Sequence, residues 1–151
     1  MKAVLLALAV VFAGIQFIRP EKNSARREPG PDDISARLAP PPEVQKILER
    51  ACYDCHSNRT HYPWYAEVQP VGWWLARHIK EARTHVNFST FGTYTPRRQA
   101  VKLGELVDEV EEGRMPLRSY RILHPEARLS PAEVKALVDW ADAVRDELPE
   151  H

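Results

Sequence analysis

The two cysteines of the chain stand three residues apart in Ala51-Cys52-Tyr53-Asp54-Cys55-His56, and this stretch limits the fold more than any other. Side chains three apart on a helical turn share a face. Two thiols so placed reach the two vinyl groups on one edge of a porphyrin, and His56 follows directly to offer an imidazole to the iron. The Cys-x-x-Cys-His pattern therefore reads as the covalent attachment point of one c-type haem, through Cys52 and Cys55 with His56 as proximal ligand. Other readings fit less well. A thioredoxin-like pair needs a βαβ context that the chain lacks. A structural zinc site needs four ligands, and adjacent Cys55 and His56 are poorly placed to share one tetrahedral ion. No further cysteine is present for a disulfide framework.

A chain of 151 residues is long enough for one domain plus appendages, with a core that does without disulfides. Its 21 basic and 21 acidic residues balance, so no strong positive field marks a nucleic-acid partner. Without residues 1–18, which carry only Lys2, the remainder is slightly acidic, and haem propionates would make it more so.

Residues 3–18 form a nearly continuous apolar run, followed by Arg19 and Pro20. As a helix the run extends roughly 24 Å, short of the roughly 30 Å hydrocarbon core, although Lys2 and Arg19 can snorkel to lengthen it. Residues 1–19 are thus expected to be a signal anchor or a cleaved signal peptide. The scarcity of small residues after Phe17 favours the anchor. Arg19, Lys22, Arg26 and Arg27 after the run outnumber Lys2 before it, which by charge alone would put the domain in the cytoplasm. Haem attachment outside the cytoplasmic membrane argues for the opposite: a single-pass inner-membrane protein facing the periplasm, or a soluble periplasmic one after cleavage.

Residues 20–41 are rich in proline and charge and read as an extended tether, with 34–38 as a short helix at most. The domain is expected over 42–148. Pro42 suits the first turn of a helix through Val44, Ile47 and Leu48 that delivers the cysteines. Further helices are expected over 71–84, over 97–112 with a stop at Gly113, and after a capping box at Ser130 to Glu133. Segments 57–70, 87–96 and 114–129 read as loops. No stretch alternates at period two, so the class is all-α.

The motif continues as Ser57-Asn58 and is followed by Tyr62-Pro63-Trp64-Tyr65, Pro70, Trp73-Trp74, Val86-Asn87-Phe88, Met115-Pro116-Leu117 and His124-Pro125. Over residues 42–143 this ordered set resembles the bacterial haem-binding domain family, a group of anchored c-type cytochrome-like proteins. The resemblance implies haem binding and an exported or anchored location, with no established partner or reaction. A broader similarity is to class I cytochromes c, which also supply a late methionine and a last helix that crosses the first. The first helix here lacks their small glycine at that crossing, and prolines follow His56 at Pro63 and Pro70. The Pro70 carbonyl is the expected acceptor for the His56 ring N–H.

Met115, the only internal methionine, is the expected sixth ligand, and a thioether raises the reduction potential relative to a second histidine. The alternative is that it merely fills a gap in the core. His78 and His124 are the alternative distal ligands. Trp64, Trp74 and their aromatic neighbours are expected to wall the pocket, and Arg77, Arg83, Arg114 or Arg118 to meet the propionates. These assignments describe an electron carrier that serves redox partner proteins. A haem enzyme such as a peroxidase, or a haem-based sensor, would instead keep the sixth position open or exchangeable.

Overall fold

Proline sets where three helices begin. It occupies the first turn of α3 (Pro42–Ala51), α6 (Pro96–Glu111) and α8 (Pro131–Glu147), where its fixed φ suits the helix and its missing N–H costs nothing. Thr95 caps α6 by accepting from the Arg98 N–H. Ser130 and Glu133 close a reciprocal capping box on α8, as their spacing indicates. The computed structural model describes residues 1–23 and 29–149, and every element among them is helical. Between these helices lie α4 (Tyr53–His56), α5 (Val71–His85) and α7 (Arg118–Leu123), with 3-10 turns at Trp64–Glu67, Phe88–Thr93 and Pro125–Ala127.

Helix α8 packs on both α6 and α3. Val44, Ile47 and Leu48 of α3 join Leu103, Val107 and Val110 of α6 and Leu137, Trp140 and Ala141 of α8 in one buried cluster. These are the apolar stripes that helical periodicity picks out. A smaller cluster of Ala66, Leu75 and Ile79 seats α5 on the first 3-10 turn. All three expected loops carry more structure than their sequences show: segments 57–70 and 87–96 hold the 3-10 turns Trp64–Glu67 and Phe88–Thr93. The 114–129 segment contains α7 and a 3-10 turn, because six residues are too few to display a helical period. Pro125 there starts the 3-10 turn Pro125–Ala127.

The largest difference lies in the expected tether. Among its described residues, Asp33 and Ile34 are both fully buried, and Asp33 caps α2 (Ile34–Leu38) by accepting from the Ser35 N–H at 3.0 Å. The Asp33 carboxylate also accepts from the Tyr53 hydroxyl at 2.6 Å and pairs with Arg59 at 3.1 Å. The Gly92 N–H donates to the Asp32 carbonyl at 2.8 Å. A Cβ at Gly92 would stand 2.5 Å from the Arg37 side chain and 3.0 Å from the Asp32 Cα, so a larger residue there would have to displace Arg37 and crowd the Asp32 backbone. Residues 32–38 are therefore packed against the rest of the chain rather than extended into solvent. Composition conceals this because one isoleucine and one aspartate suffice to anchor the segment. Residues 24–28 of the expected tether, including Arg26 and Arg27, lie outside the described residues.

Helix α1 (Lys2–Ile15) buries none of its side chains. Among the described residues no helix is long and apolar enough to cross a membrane.

Replacing Ile34 with Ala separates an integral segment from a tether. Deleting a fully buried isoleucine side chain costs about 2–5 kcal/mol, read as a lower denaturant midpoint with unchanged slope, whereas a solvated tether would show no change.

Candidate functional site

Helices α3, α4, α5 and α6 and the segment after α6 line a cavity of about 520 Å³. That volume lies in the range of pockets that enclose a small organic group. Ala51, Cys52 and His56 form one wall, Val86 and Phe88 continue it, and Leu106, Val110, Met115, Pro116, Leu117 and Leu129 form much of the rest. His78, Glu81 and His85 of α5 and Lys102, Glu105 and Glu109 of α6 add a polar border.

His56 is a half-buried, oriented imidazole. Its Nδ1 lies 3.2 Å from the Val86 carbonyl, so the ring donates there and keeps its lone pair on Nε2. Burial pulls its pKa below the usual imidazole value, which favours the neutral form; the Val86 carbonyl opposes this only in part. Phe88 covers the ring with centroids 5.7 Å apart. The expected acceptor, the Pro70 carbonyl, is instead taken by the Trp74 N–H at 3.1 Å as the first turn of α5 forms. It is the far end of α5, at Val86, that reaches His56.

Met115 is carried to the cavity by the end of α6. Gly113 takes a positive φ of 66°, a conformation glycine adopts without the penalty a Cβ brings. Its N–H returns to the Val110 carbonyl at 3.1 Å, and the Met115 N–H donates to the Glu109 carbonyl at 2.9 Å. The reversal packs Met115 against the main core and leaves it on the cavity lining.

Both cysteines are free thiols. Burial, helped by the neighbouring Cys55, pushes the Cys52 thiol up to about 12. Burial and Asp54 push Cys55 up to about 11. Cys52 borders the cavity, while Cys55, three residues on, packs against the Ala66–Leu75–Ile79 cluster. The two residues between them pin the turn. Tyr53 bonds Asp33 on one side, and Arg59 lies 4.6 Å over its ring. Asp54 accepts from the Tyr120 hydroxyl at 2.8 Å and from the His61 N–H at 2.9 Å. Sequence reading passed over both. A tyrosine and an aspartate inside the motif were the available signal.

Several expected site residues stand elsewhere. Trp64 is 79% exposed and Trp74 45% exposed, and neither lines the cavity, whose aromatic surface comes from Phe88. His124 has both ring nitrogens engaged, with the Tyr65 hydroxyl at 2.7 Å and Glu126 at 2.9 Å, and lies outside the cavity. His78 does line it, with Nδ1 held 2.9 Å from the Trp74 carbonyl. Arg77 pairs with Glu81, Arg114 with Glu109, and Arg83 bonds Asn23 and Asn58. The lysine or arginine on the lining is Lys102, itself 2.6 Å from Glu105.

A family model described as a haem-binding domain matches residues 10–143. No curated protein and no solved structure matches the chain.

The Tyr53 pin is open to test. Tyr53→Phe removes one hydrogen bond from a fully buried carboxylate, and the expected loss is about 1–3 kcal/mol of stability. Chemical denaturation of the variant beside the parent measures it.

Proposed function

The chain belongs to the haem-binding domain family, and from that premise we propose that it carries one covalently attached haem c and passes single electrons to redox partner proteins. One observation carries the reading: Cys52, His56 and Met115 lie on the lining of a single, largely apolar cavity. The donor set suits haem iron, with a neutral imidazole oriented by a backbone carbonyl and a thioether held in a fixed loop. Thioether bonds from Cys52 on the lining and from Cys55, which would have to turn out of the Ala66–Leu75–Ile79 cluster, would hold the group, and His56 and Met115 would bind its iron. When bound, haem supplies one-electron chemistry. The chain's part is to keep both ligands in place in either oxidation state. Val86 holds the His56 ring, the Gly113 reversal holds Met115, and Phe88, Leu106 and Val110 exclude water.

The rival reading, a haem enzyme or sensor with an open sixth position, rests on His78, whose Nε2 is not engaged by the Trp74 carbonyl. Of the arginines that would assist it, Arg77 is held by Glu81 and Arg83 by Asn23 and Asn58, and neither lines the cavity. We place the protein at the inner membrane with its domain facing the periplasm. Support comes from the apolar α1, exposed on all sides, and from the extracytoplasmic setting that covalent haem attachment requires. A redox pool at that surface is the matching partner class.

Ligation by Met115 is tested by spectroscopy of the matured protein. The oxidised form should show the far-red band of a methionine–iron bond, and the reduced form should bind carbon monoxide slowly. Met115→Ala should abolish the band and speed carbon monoxide binding. A band that survives the substitution, or rapid binding by the parent, favours the rival reading.

A further inference from the structure

The chain leaving α1 does not run free. The Gln16 side chain brackets the Gln69 peptide: its Nε2 donates to the Gln69 carbonyl at 3.2 Å, and its Oε1 accepts from the Gln69 N–H at 2.9 Å. The Trp73 indole N–H donates to the Ile18 carbonyl at 2.7 Å. Glu67 receives both Arg19 and Lys22. Asn23 closes the series. Its N–H donates to the Tyr62 hydroxyl at 2.7 Å, and its side-chain amide donates to the Ser57 carbonyl at 2.7 Å and to Thr60 at 2.9 Å. Its Oδ1 accepts from Arg83 at 2.9 Å. Ser57 and Thr60 directly follow the His56 turn, so this strap ends on the haem-attachment segment itself.

Beyond the strap, α1 exposes Val4, Leu5, Leu6, Leu8, Val10 and Val11, each more than 60%. These positions cover every face of the helix. A protein groove would bury one stripe, whereas a bilayer buries all sides of an apolar helix. Phe17 and Ile18 prolong the apolar surface at 87% and 63% exposure. Arg19 and Lys22 then mark the depth where charge returns. Val71 and Trp74, exposed on the first turn of α5, stand beside the strap through Trp73. Indoles favour the interfacial layer of a membrane.

We propose that residues 16–23 form a docked strap that fixes the domain on a lipid bilayer, with Val71 and Trp74 pressed into the headgroup layer beside the buried α1. The inference rests on the membrane reading of α1 and adds to it a single orientation of the haem domain, since the strap leaves no joint between helix and site. A free tether would let the cavity tumble; the strap holds its distance and aspect to the membrane constant.

The test uses the full-length holoprotein in phosphatidylcholine–phosphatidylglycerol nanodiscs containing a phospholipid with a photoactivatable diazirine near the headgroup. Peptide mass spectrometry after illumination should find lipid adducts on α1 and on the peptide carrying Val71 and Trp74. Adducts on α1 alone overturn the fixed orientation and leave the anchor standing. Adducts on neither overturn both. In a Gln16→Ala/Asn23→Ala variant with an unchanged haem spectrum, the yield at residues 71–74 should fall severalfold while that on α1 holds. An undiminished yield at residues 71–74 overturns the role given to the strap.

Discussion

A helical turn of four residues cannot hold its own shape. Helix nucleation fixes several dihedral angles for one hydrogen bond, and α4 spans only Tyr53–His56. Yet the proposed haem site asks this turn to present its thiols and an imidazole in fixed relation. The turn holds because it is fastened from outside. Tyr53 is tied to Asp33, Asp54 to Tyr120, and His56 to Val86. Three distant segments thus converge on one turn, and much of the remaining architecture serves to bring them there. The polar fastenings are effective because they are withdrawn from water. The Asp33 carboxylate is fully buried, and such a group left without donors would cost several kcal/mol.

The same logic places His56 and Met115 on opposing elements. His56 depends on where α5 ends, and Met115 on how α6 ends. Helix length and capping therefore govern the separation of the two candidate axial ligands. Gly113 matters more here than its lack of a side chain suggests, because its positive φ turns the chain back within three residues of the last core valine, Val110. The ionisable residues on the cavity lining include Glu81, Glu105, Glu109, Lys102, His78 and His85.

Much of this was legible in the residues. The long helices and their caps followed from spacing and from the prolines that start them. Features that depend on tertiary contact were not. Nothing in residues 29–41 announces that Ile34 enters the core, because a single apolar residue makes no period. The exchange of Pro70 for Val86 beside His56 has a like cause: the partner is a backbone carbonyl, and any residue carries one. Trp64 and Trp74 looked like pocket walls because large aromatics usually seek burial. The strap explains part of the error, since Trp73 next to Trp74 uses its indole to hold the chain emerging from α1.

Every assignment rests on two sulfurs and an imidazole holding one porphyrin, and the mass of the denatured chain tests that most directly. Mature protein treated with acidified organic solvent should retain its colour, and its intact mass should exceed that of the chain by one haem, with the added mass on the peptide containing Cys52 and Cys55. A chain at its bare mass, with the pigment in the organic layer, would contradict the account.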